Sequence, residues 1–404
     1  DMGAKLRLLC FTSALLAYYF YIPMPEDYEE PWKTMLVLTP FRTAGHLASI
    51  ADQLGLMHYM DVMKVIMRAE YIAPTSDENL TVTDTEFSGV PVRLFVPKKE
   101  TGGLRRAVIY FHGGGWCLGD AALKNYDYLT RWTSNKLNAV VVSVNYRLAP
   151  EHHFPAQFED VYSVTKFLLQ SKVLSQYNVD PNRVCVAGDS AGGNLAAAVA
   201  QQLSVDPEVQ TQLKAQALLY PALQALDLQS PSYKENKDDP LLSRSLMVRF
   251  WSEYFTTDAS LREAMDSNRH VPASSTHLFQ LVNWSSLLPA EMRKGHLYST
   301  PTHGSPELAH KHPGFLDVRA APLLASDAHL RRLPLTYLLT CGHDVLRDDG
   351  VMYATRLRAA GVPLAHHHFK EAFHGAMMFV SSLGELAVGH RMLDSYTEWL
   401  DKNL

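Results

Sequence analysis

The sequence lacks the features of a metal enzyme and of a nucleic-acid-binding protein. Its 404 residues include only four cysteines and contain no C-x-x-C or H-E-x-x-H motif, the spacings that commonly hold zinc. The formal net charge is −5 and the runs of lysine and arginine are short, so we expect no nucleic-acid partner. Internal repeats and low-complexity tracts are also lacking. We therefore predict a globular protein without a metal site.

The chain does contain enough apolar sequence for a large core, and its strand and helix patterns alternate. Hydrophobic residues make up 47% of the sequence, which is sufficient for a sizeable buried interior. Residues 81–96 alternate as a strand pair would, and apolar runs then alternate with helical patterns at residues 107–111, 139–144, 184–187 and 215–219. This order predicts an α/β fold, with a mostly parallel central sheet and helices on both faces.

The strand–helix alternation breaks after residue 221, and an aromatic-rich stretch up to about residue 313 indicates a helical insertion. Together with N-terminal helices, this insertion would form a cap that encloses an apolar pocket. Candidates for the pocket lining or for membrane contact, equally well explained as helix-packing residues, are Phe250, Trp251, Tyr254 and Phe255. The predicted segments are an N-terminal anchor (1–23), cap helices (24–80), a first core part (81–222), the cap insertion (223–313) and a second core part (314–404).

The stretch G-D-S-A-G-G at residues 188–193 is the strongest functional signal. An apolar run precedes it, and a helix-forming run follows at residues 194–200. This pattern is typical of the nucleophile elbow, a strained strand-to-helix turn that exposes a serine hydroxyl. The motif alone could equally be a tight turn between a strand and a helix. With the motif below, it predicts that Ser190 is a nucleophile.

A second glycine motif, H-G-G-G-W at residues 112–116, directly follows the apolar run 108–111. Loops of this type supply backbone N–H groups to the oxyanion of acyl-transfer enzymes. A glycine-rich turn that merely ends a strand is the alternative. We predict an oxyanion hole, with His112 supporting the motif and N–H donors from Gly113, Gly114, Gly115 and Ala191.

The remaining catalytic residues should follow Ser190 in the order acid, then histidine. Asp344 follows a predicted strand at residues 334–340, and His374 follows another at residues 364–369. Asp348 and Asp349 are better interpreted as the start of the next helix, where acids suit the helix dipole. The competing histidines are His343 and the run 366–368, whose side chains should alternate between the two faces of a strand.

These residues predict serine-hydrolase chemistry. Ser190 attacks an acyl carbonyl, His374 takes its proton, and Asp344 orients the imidazole and stabilises its charged form. Backbone amides bind the developing oxyanion. Water then releases the acyl group, and the reaction needs no cofactor.

At these motifs the chain resembles the hormone-sensitive-lipase-like branch of the α/β-hydrolases. The resemblance rests on H-G-G-G-W, on Y-R-L-A-P-E at residues 146–151, on G-D-S-A-G-G and on D-x-L-R-D at residues 344–348. It implies an enzyme that cleaves short acyl groups from small lipophilic esters and amides. The alternatives are a hydrolase of cholesteryl or ether-lipid esters, and a non-catalytic binding module of the same fold. Because all three triad residues are present, catalysis is favoured over the binding module.

The N-terminus predicts a membrane anchor. Lys5 and Arg7 precede an apolar stretch at residues 8–22 that ends at Pro23. The stretch is short for a membrane span, which usually needs ~17 to 25 residues, but its aromatic end suits a membrane interface. A cleaved signal peptide and a buried soluble helix are the alternatives. We expect an uncleaved signal anchor in the endoplasmic reticulum membrane, which the resemblance also implies, with the catalytic domain in the lumen.

A lumenal location would allow glycosylation and disulfide formation. The sequons Asn79-Leu80-Thr81 and Asn283-Trp284-Ser285 lack an intervening proline, so Asn79 and Asn283 are candidate glycosylation sites. Cys117 follows the glycine loop, and Cys341 ends the strand before Asp344. We expect a disulfide between them in an oxidising compartment. Two separate buried thiols are the alternative.

Overall fold

The computed structural model describes residues 2–100, 102–381 and 384–404, and it is built on one eight-stranded sheet. The spatial order is β1-β2-β4-β3-β5-β6-β7-β8. β1 pairs with β2 and β2 with β4 in antiparallel fashion, and the other neighbours are parallel. The predicted mostly parallel α/β sheet is therefore confirmed. The strands are β1 (Leu80–Phe87), β2 (Val90–Pro97), β3 (Arg105–Phe111), β4 (Val140–Val144), β5 (Val179–Asp189), β6 (Ala215–Leu219), β7 (Leu335–His343) and β8 (Leu364–Phe373).

The helices cover both faces of the sheet and build the segments around it. They are α1 (Met2–Phe20), α2 (Pro31–Gln53), α3 (Tyr59–Met67), α4 (Lys124–Leu137), α5 (Ala156–Leu168), α6 (Ser171–Gln176), α7 (Ala191–Leu203), α8 (Pro231–Glu235), α9 (Arg244–Phe255), α10 (Ala259–Asp266), α11 (Trp284–Leu287), α12 (Ala290–Arg293), α13 (Pro306–Lys311), α14 (Asp327–Leu330), α15 (Arg347–Ala359) and α16 (Ala387–Asn403). Short 3₁₀ helices lie at Arg68–Glu70, Ala273–Val282, Pro313–Leu316, Pro322–Leu324 and Ala376–Met378.

Strand position in the sheet explains the sequence patterns. Every residue of the inner strands β4 and β6 is buried, as parallel strands covered on both faces require. The edge strand β8 is only partly buried, and its histidines alternate. His366 and His368 bond the Thr340 hydroxyl, whereas His367 bonds Ser395 on the other face. The prediction that this run points to two faces of a strand is correct.

Two hydrophobic clusters lie on the two sides of the sheet. Neighbouring β3 residues alternate between them, with Ile109 in one cluster and Val108 in the other. Cys117 belongs to the Ile109 cluster and Cys341 to the Val108 cluster. Both are buried, free thiols. The predicted disulfide is therefore not formed, because the two side chains pack into different cores.

Residues 223–313 contain α8 to α13 and a 3₁₀ segment, and the described part of this stretch contains no strand. The cap helix α9 joins this segment to the N-terminal helices. Arg249 of α9 pairs with Asp52 at 2.9 Å and lies over the Tyr59 ring at 4.6 Å. Glu253, one turn further on, lies 3.0 Å from His58. The N-terminal helices and the insertion thus contact one another directly.

The N-terminal helix α1 projects its apolar side chains into solvent. Leu8, Phe11 and Leu15 are 66%, 64% and 52% exposed, which contradicts the alternative of a buried soluble helix. A contact to α2 is the hydrogen bond from Tyr19 to the Thr43 hydroxyl, at 3.0 Å. Among residues 2–100, 102–381 and 384–404, no helix combines the length and apolar character that crossing a bilayer requires.

Candidate active site

The nucleophile elbow forms where β5 runs directly into α7. Ser190 lies between them with a φ of 55° and a ψ of −119°, a conformation that most residues avoid. A Cβ atom on Gly192 would lie 1.9 Å from the Phe111 carbonyl oxygen, and one on Gly188 would lie 2.3 Å from the Gly192 carbonyl oxygen. Only glycine fits at these two positions, so the motif permits the tight turn that presents Ser190.

The structure brings Ser190, His374 and Asp344 together in one hydrogen-bonded line. His374 Nε2 lies 2.9 Å from Ser190 Oγ, and its Nδ1 lies 2.9 Å from Asp344 Oδ2. The other Asp344 oxygen accepts the Leu346 N–H at 2.8 Å. Asp344 follows the end of β7 and His374 follows the end of β8. This is the arrangement of a nucleophile, a base and an orienting acid.

The surroundings of His374 strengthen it as a base. Burial has the largest single effect and lowers the pKa of His374, but the carboxylates of Asp344, Asp239 and Asp189 together raise that pKa above its usual value. The Tyr220 ring meets the imidazole edge-on, with ring centres 4.9 Å apart. Ser190 is 8% exposed and His374 is 6% exposed, so the reacting groups lie in a largely water-excluded site.

The oxyanion loop, residues 112–116, lies beside the elbow. Gly114 and Gly115 have φ values of 108° and 61°, which glycine adopts readily. In the part of the chain that the structure describes, the N–H groups of Gly114, Gly115 and Ala191 have no hydrogen-bond acceptor. The predicted donor Gly113 differs, because its N–H bonds Tyr126 Oη at 2.8 Å and Asp189 Oδ1 at 2.9 Å. Gly113 is therefore not an oxyanion donor.

His112 shapes the loop from within. Its Nδ1 lies 2.7 Å from the Gly113 carbonyl oxygen, and the Tyr146 hydroxyl donates to the His112 carbonyl at 2.7 Å. The rings of His112 and Tyr146 stack with centres 4.4 Å apart. Burial lowers the pKa of His112, which keeps the ring neutral and able to donate from Nδ1. The predicted supporting role of His112 matches these contacts.

The competing candidates lie outside the triad. Asp348 and Asp349 occupy the first turn of α15, as predicted. Their carboxylates accept backbone N–H groups of Ser232 at 2.7 Å and of Leu223 at 2.9 Å. Burial raises the pKa of Asp349 to about 7. Both acids thus bind backbone groups at the beginning of the cap insertion. The competing candidate His343 also lies outside the triad, and its ring packs against Tyr28.

Aromatic residues of α9 cover the oxyanion loop. A Cβ atom on Gly115 would lie 2.2 Å from the Phe250 ring. Trp116 stacks on Tyr254 with ring centres 4.3 Å apart and also contacts Trp251 at 4.4 Å. The four predicted α9 aromatic residues are all buried, so the prediction that they contact the membrane is wrong. Phe250 lies against the oxyanion loop. Sequence reasoning missed Asp189 and Tyr126; Asp189 lies inside the G-D-S motif, whereas no pattern marks Tyr126.

The predicted glycosylation sites differ in exposure. Asn79 is exposed just before β1. Asn283 is half-buried, and its side-chain oxygen accepts the Ser285 N–H at 3.0 Å as the N-cap of α11.

Comparison with known proteins agrees with this geometry. The profile of a family described as α/β hydrolase fold matches residues 108–281 and 297–378. Arylacetamide deacetylase of Oryctolagus cuniculus is 57% identical over 402 residues, covering 100% of both chains, and neutral cholesterol ester hydrolase 1 of Bos taurus is 44% identical with the same coverage. The solved structure of a bacterial heroin esterase aligns with a TM-score of 0.63 and 26% identity, over 86% of this chain and 91% of the esterase. The chain therefore belongs to the α/β-hydrolase family, within its hormone-sensitive-lipase-like branch of carboxylic ester hydrolases.

Proposed function

We propose that the chain removes short acyl groups from lipophilic esters and aryl amides through an acyl-enzyme on Ser190. The observation that carries this proposal is the continuous line of hydrogen bonds from Asp344 through His374 to Ser190, with 2.9 Å at each step around the imidazole. Relatives named arylacetamide deacetylase, at 54% to 57% identity, support the same substrate class.

The reaction begins with the formation of a tetrahedral intermediate. Ser190 Oγ bonds to the acyl carbon while its proton moves to His374 Nε2, and the carbonyl oxygen becomes an oxyanion. The N–H groups of Gly114, Gly115 and Ala191 are free to bind that oxygen. One such donor is typically worth ~10² to 10³ in rate.

The protonated His374 completes the formation of the acyl-enzyme. The imidazolium gives its proton to the departing alcohol or amine as the bond to the acyl carbon breaks. An amine leaves poorly without that proton, so the Asp344 carboxylate that stabilises the imidazolium serves amide cleavage as well. Water then attacks the acyl-enzyme and gives a proton to His374, and His374 returns that proton to Ser190 Oγ as the bond to the acyl carbon breaks and the acid leaves.

The cap favours a short acyl group. The Phe250 ring lies against Gly115 of the oxyanion loop, and buried aromatic residues of α9 surround Trp116. A rigid aromatic wall beside the oxyanion position restricts the volume available to the acyl chain. The same apolar surface suits a flat aryl leaving group.

A panel of substrates tests this proposal. Acetyl, butyryl and octanoyl esters of one phenol, together with acetanilide, are compared by kcat/KM, with Ser190→Ala as the control for background hydrolysis. We expect the acetyl ester to be faster than the octanoyl ester, and acetanilide to be cleaved. A preference for octanoyl without anilide cleavage would contradict the proposal.

Hydrolysis of long-chain or cholesteryl esters is the second candidate. The exposed apolar face of α1 and the 44% identity to a protein named neutral cholesterol ester hydrolase 1 favour it. A cholesteryl ester in the same panel separates the two candidates, because an acetyl-selective site would leave it intact.

We also propose that α1 holds the protein at the endoplasmic reticulum membrane, with the catalytic domain in the lumen. Lys5 and Arg7 before a stretch of exposed apolar side chains support this attachment, because the basic flank of a signal anchor stays on the cytosolic side. In microsomes, we expect deglycosylation to increase gel mobility through loss of glycans on Asn79 and Asn283. External protease should spare the domain in sealed vesicles. Digestion of the domain without any glycan shift would contradict the lumenal location.

A further inference from the structure

The buried carboxylate of Asp189 bonds the oxyanion loop directly. Its Oδ1 accepts the Gly113 N–H at 2.9 Å, and its Oδ2 accepts the Tyr126 hydroxyl at 3.0 Å. The Tyr126 oxygen also accepts the Gly113 N–H, at 2.8 Å. Asp189 and Tyr126 are 3% and 6% exposed. The three groups form a closed triangle of hydrogen bonds immediately beside Ser190.

The triangle fixes a segment that has little stiffness of its own. Three consecutive glycines lose more backbone freedom on ordering than other residues do. The first of them is anchored, and the next two carry the unpaired N–H groups. Because Asp189 precedes Ser190 in the chain, the anchor links the donors to the nucleophile. A Cβ atom on Gly113 would lie 2.5 Å from Asp189 Oδ2, so the close contact itself requires glycine.

We propose that Asp189 and Tyr126 are positioning residues that hold the oxyanion loop in register with Ser190. The inference rests on the proposed serine-hydrolase function and extends it to two residues outside the triad. They touch neither the substrate nor the reacting atoms. They act through the peptide of Gly113, whose fixed orientation leaves the N–H groups of Gly114 and Gly115 directed at the oxyanion.

The environment of Asp189 suits this role. Burial raises the pKa of Asp189 to about 6, although hydrogen bonds from Tyr110 and Tyr126 oppose that rise. The carboxylate is thus charged at neutral pH and accepts three donors, including the Tyr110 hydroxyl at 2.8 Å. A buried acceptor with several donors is geometrically well determined.

Tyr126→Phe and Tyr110→Phe form a matched pair of variants. Each removes one buried hydroxyl that donates to Asp189, but only the Tyr126 hydroxyl also bonds Gly113. We expect Tyr126→Phe to lower kcat for phenyl acetate about tenfold with KM unchanged, because the lost interaction acts in the transition state. Tyr110→Phe should stay within about threefold of the wild type, because the Gly113 anchor remains.

Variants of Asp189 extend the series. Asp189→Ala removes an acceptor of Gly113, and we expect a loss in kcat on the order of 10², the lower end for one oxyanion donor. Asp189→Asn keeps a carbonyl oxygen for Gly113 and places an amide donor toward Tyr126. This conservative variant should therefore recover most of the activity.

A trifluoromethyl ketone inhibitor supplies a readout that a purely structural role would not move. Ser190 Oγ adds to its carbonyl carbon, the proton goes to His374, and the former carbonyl oxygen becomes a bound oxyanion. Its Ki should rise across the series in proportion to the loss in kcat/KM. The two tyrosine variants should bind an unreactive ether analogue with the same affinity. Their melting temperatures should also be the same.

Equal kcat and equal Ki for Tyr126→Phe and Tyr110→Phe would overturn the proposal, whether or not Asp189→Ala folds. A rise in Ki of the ketone that also appears for the ether analogue would overturn it too, because the defect would then lie in the pocket. A wild-type protein that neither cleaves phenyl acetate nor binds the ketone would instead refute the proposed function itself.

Discussion

Replacing Asp344 by asparagine tests the assignment of the triad most directly. The Asp344 side chain is fully buried, and its two oxygens serve different donors, His374 Nδ1 at 2.9 Å and the Leu346 N–H at 2.8 Å. Asparagine keeps the shape but has one acceptor oxygen. If that oxygen stays with Leu346, the amide N–H faces Nδ1, and the imidazole proton moves to Nε2. The nitrogen that must take the Ser190 proton is then occupied.

The size of the effect follows from this change of tautomer. The equivalent change in a studied triad lowers kcat by about 10⁴, which corresponds to about 5.5 kcal/mol in activation free energy. We expect a loss of the same order here, because the two distances around His374 are those of an assembled triad. KM should change little, since Asp344 is buried behind the imidazole.

The pH dependence of kcat/KM supplies a second, independent test of the Asp344 assignment. His374 must be neutral to act as a base, so kcat/KM rises as pH passes upward through its pKa. Burial lowers the pKa of His374, but Asp344, Asp239 and Asp189 together raise it above its usual value, and Asp344 contributes the most of the three acids. Removal of the Asp344 charge should therefore shift the acidic limb of the residual activity to lower pH.

The assay is kcat/KM for phenyl acetate between pH 5 and 9, with circular dichroism to verify folding. Asp348→Asn is the control, because Asp348 is a neighbouring buried acid that bonds Ser232 and Arg347 outside the triad. An activity of Asp344→Asn within about tenfold of the wild type, with an unmoved acidic limb, would refute the reasoning. If Asp348→Asn lowered kcat/KM and Asp344→Asn did not, Asp344 would be the wrong choice for the acid of the triad.

Three further changes have simple expected outcomes. Ser190→Ala should fold normally, lose hydrolysis and lose labelling by an organophosphonate; near-normal turnover would exclude Ser190 as the nucleophile. Gly192→Ala places a Cβ atom 1.9 Å from the Phe111 carbonyl oxygen. The free energy of unfolding in urea should therefore fall by about 3 kcal/mol. An unchanged midpoint of urea unfolding would contradict that clash. Arg93→Met removes the Arg93 partner of the buried Asp127, at 3.0 Å, and leaves Arg131 at 3.2 Å, so about 3 kcal/mol should be lost in the same assay, and a loss below about 1 kcal/mol would show that Arg131 alone is sufficient.

The triad and the sheet could be predicted because both depend on local patterns. The turn at Ser190 places glycine at residues 188 and 192 at a fixed spacing in the sequence, although the contact that requires Gly192 is with Phe111 on β3, and the buried strands appear as apolar runs. The donor set of the oxyanion hole could not be predicted, because all three loop glycines look alike in sequence. Gly113 is distinguished from its neighbours by Tyr126, which lies on α4. No spacing rule connects those positions.

The same limit explains the wrong disulfide. Cys117 follows β3 and Cys341 lies near the end of β7, so their positions along the chain suggested a common edge. Pairing also depends on which side of the sheet each side chain faces, and these two belong to different hydrophobic clusters. Cys117 lies past the end of β3 and does not keep the alternation of that strand, so its face could not be inferred by counting.

Substrate range should depend on contacts that the catalytic motifs do not contain. Arg249 of α9 pairs with Asp52 on α2, and Phe250, the next residue, lies against Gly115. A change in how α2 packs would thus reach the oxyanion loop through one turn of α9, without altering any triad residue. Relatives that are similar along the whole chain are indeed named for different substrates. The chemistry is set by the sheet, whereas the acyl group that fits is set by the cap and the N-terminal helices that support it.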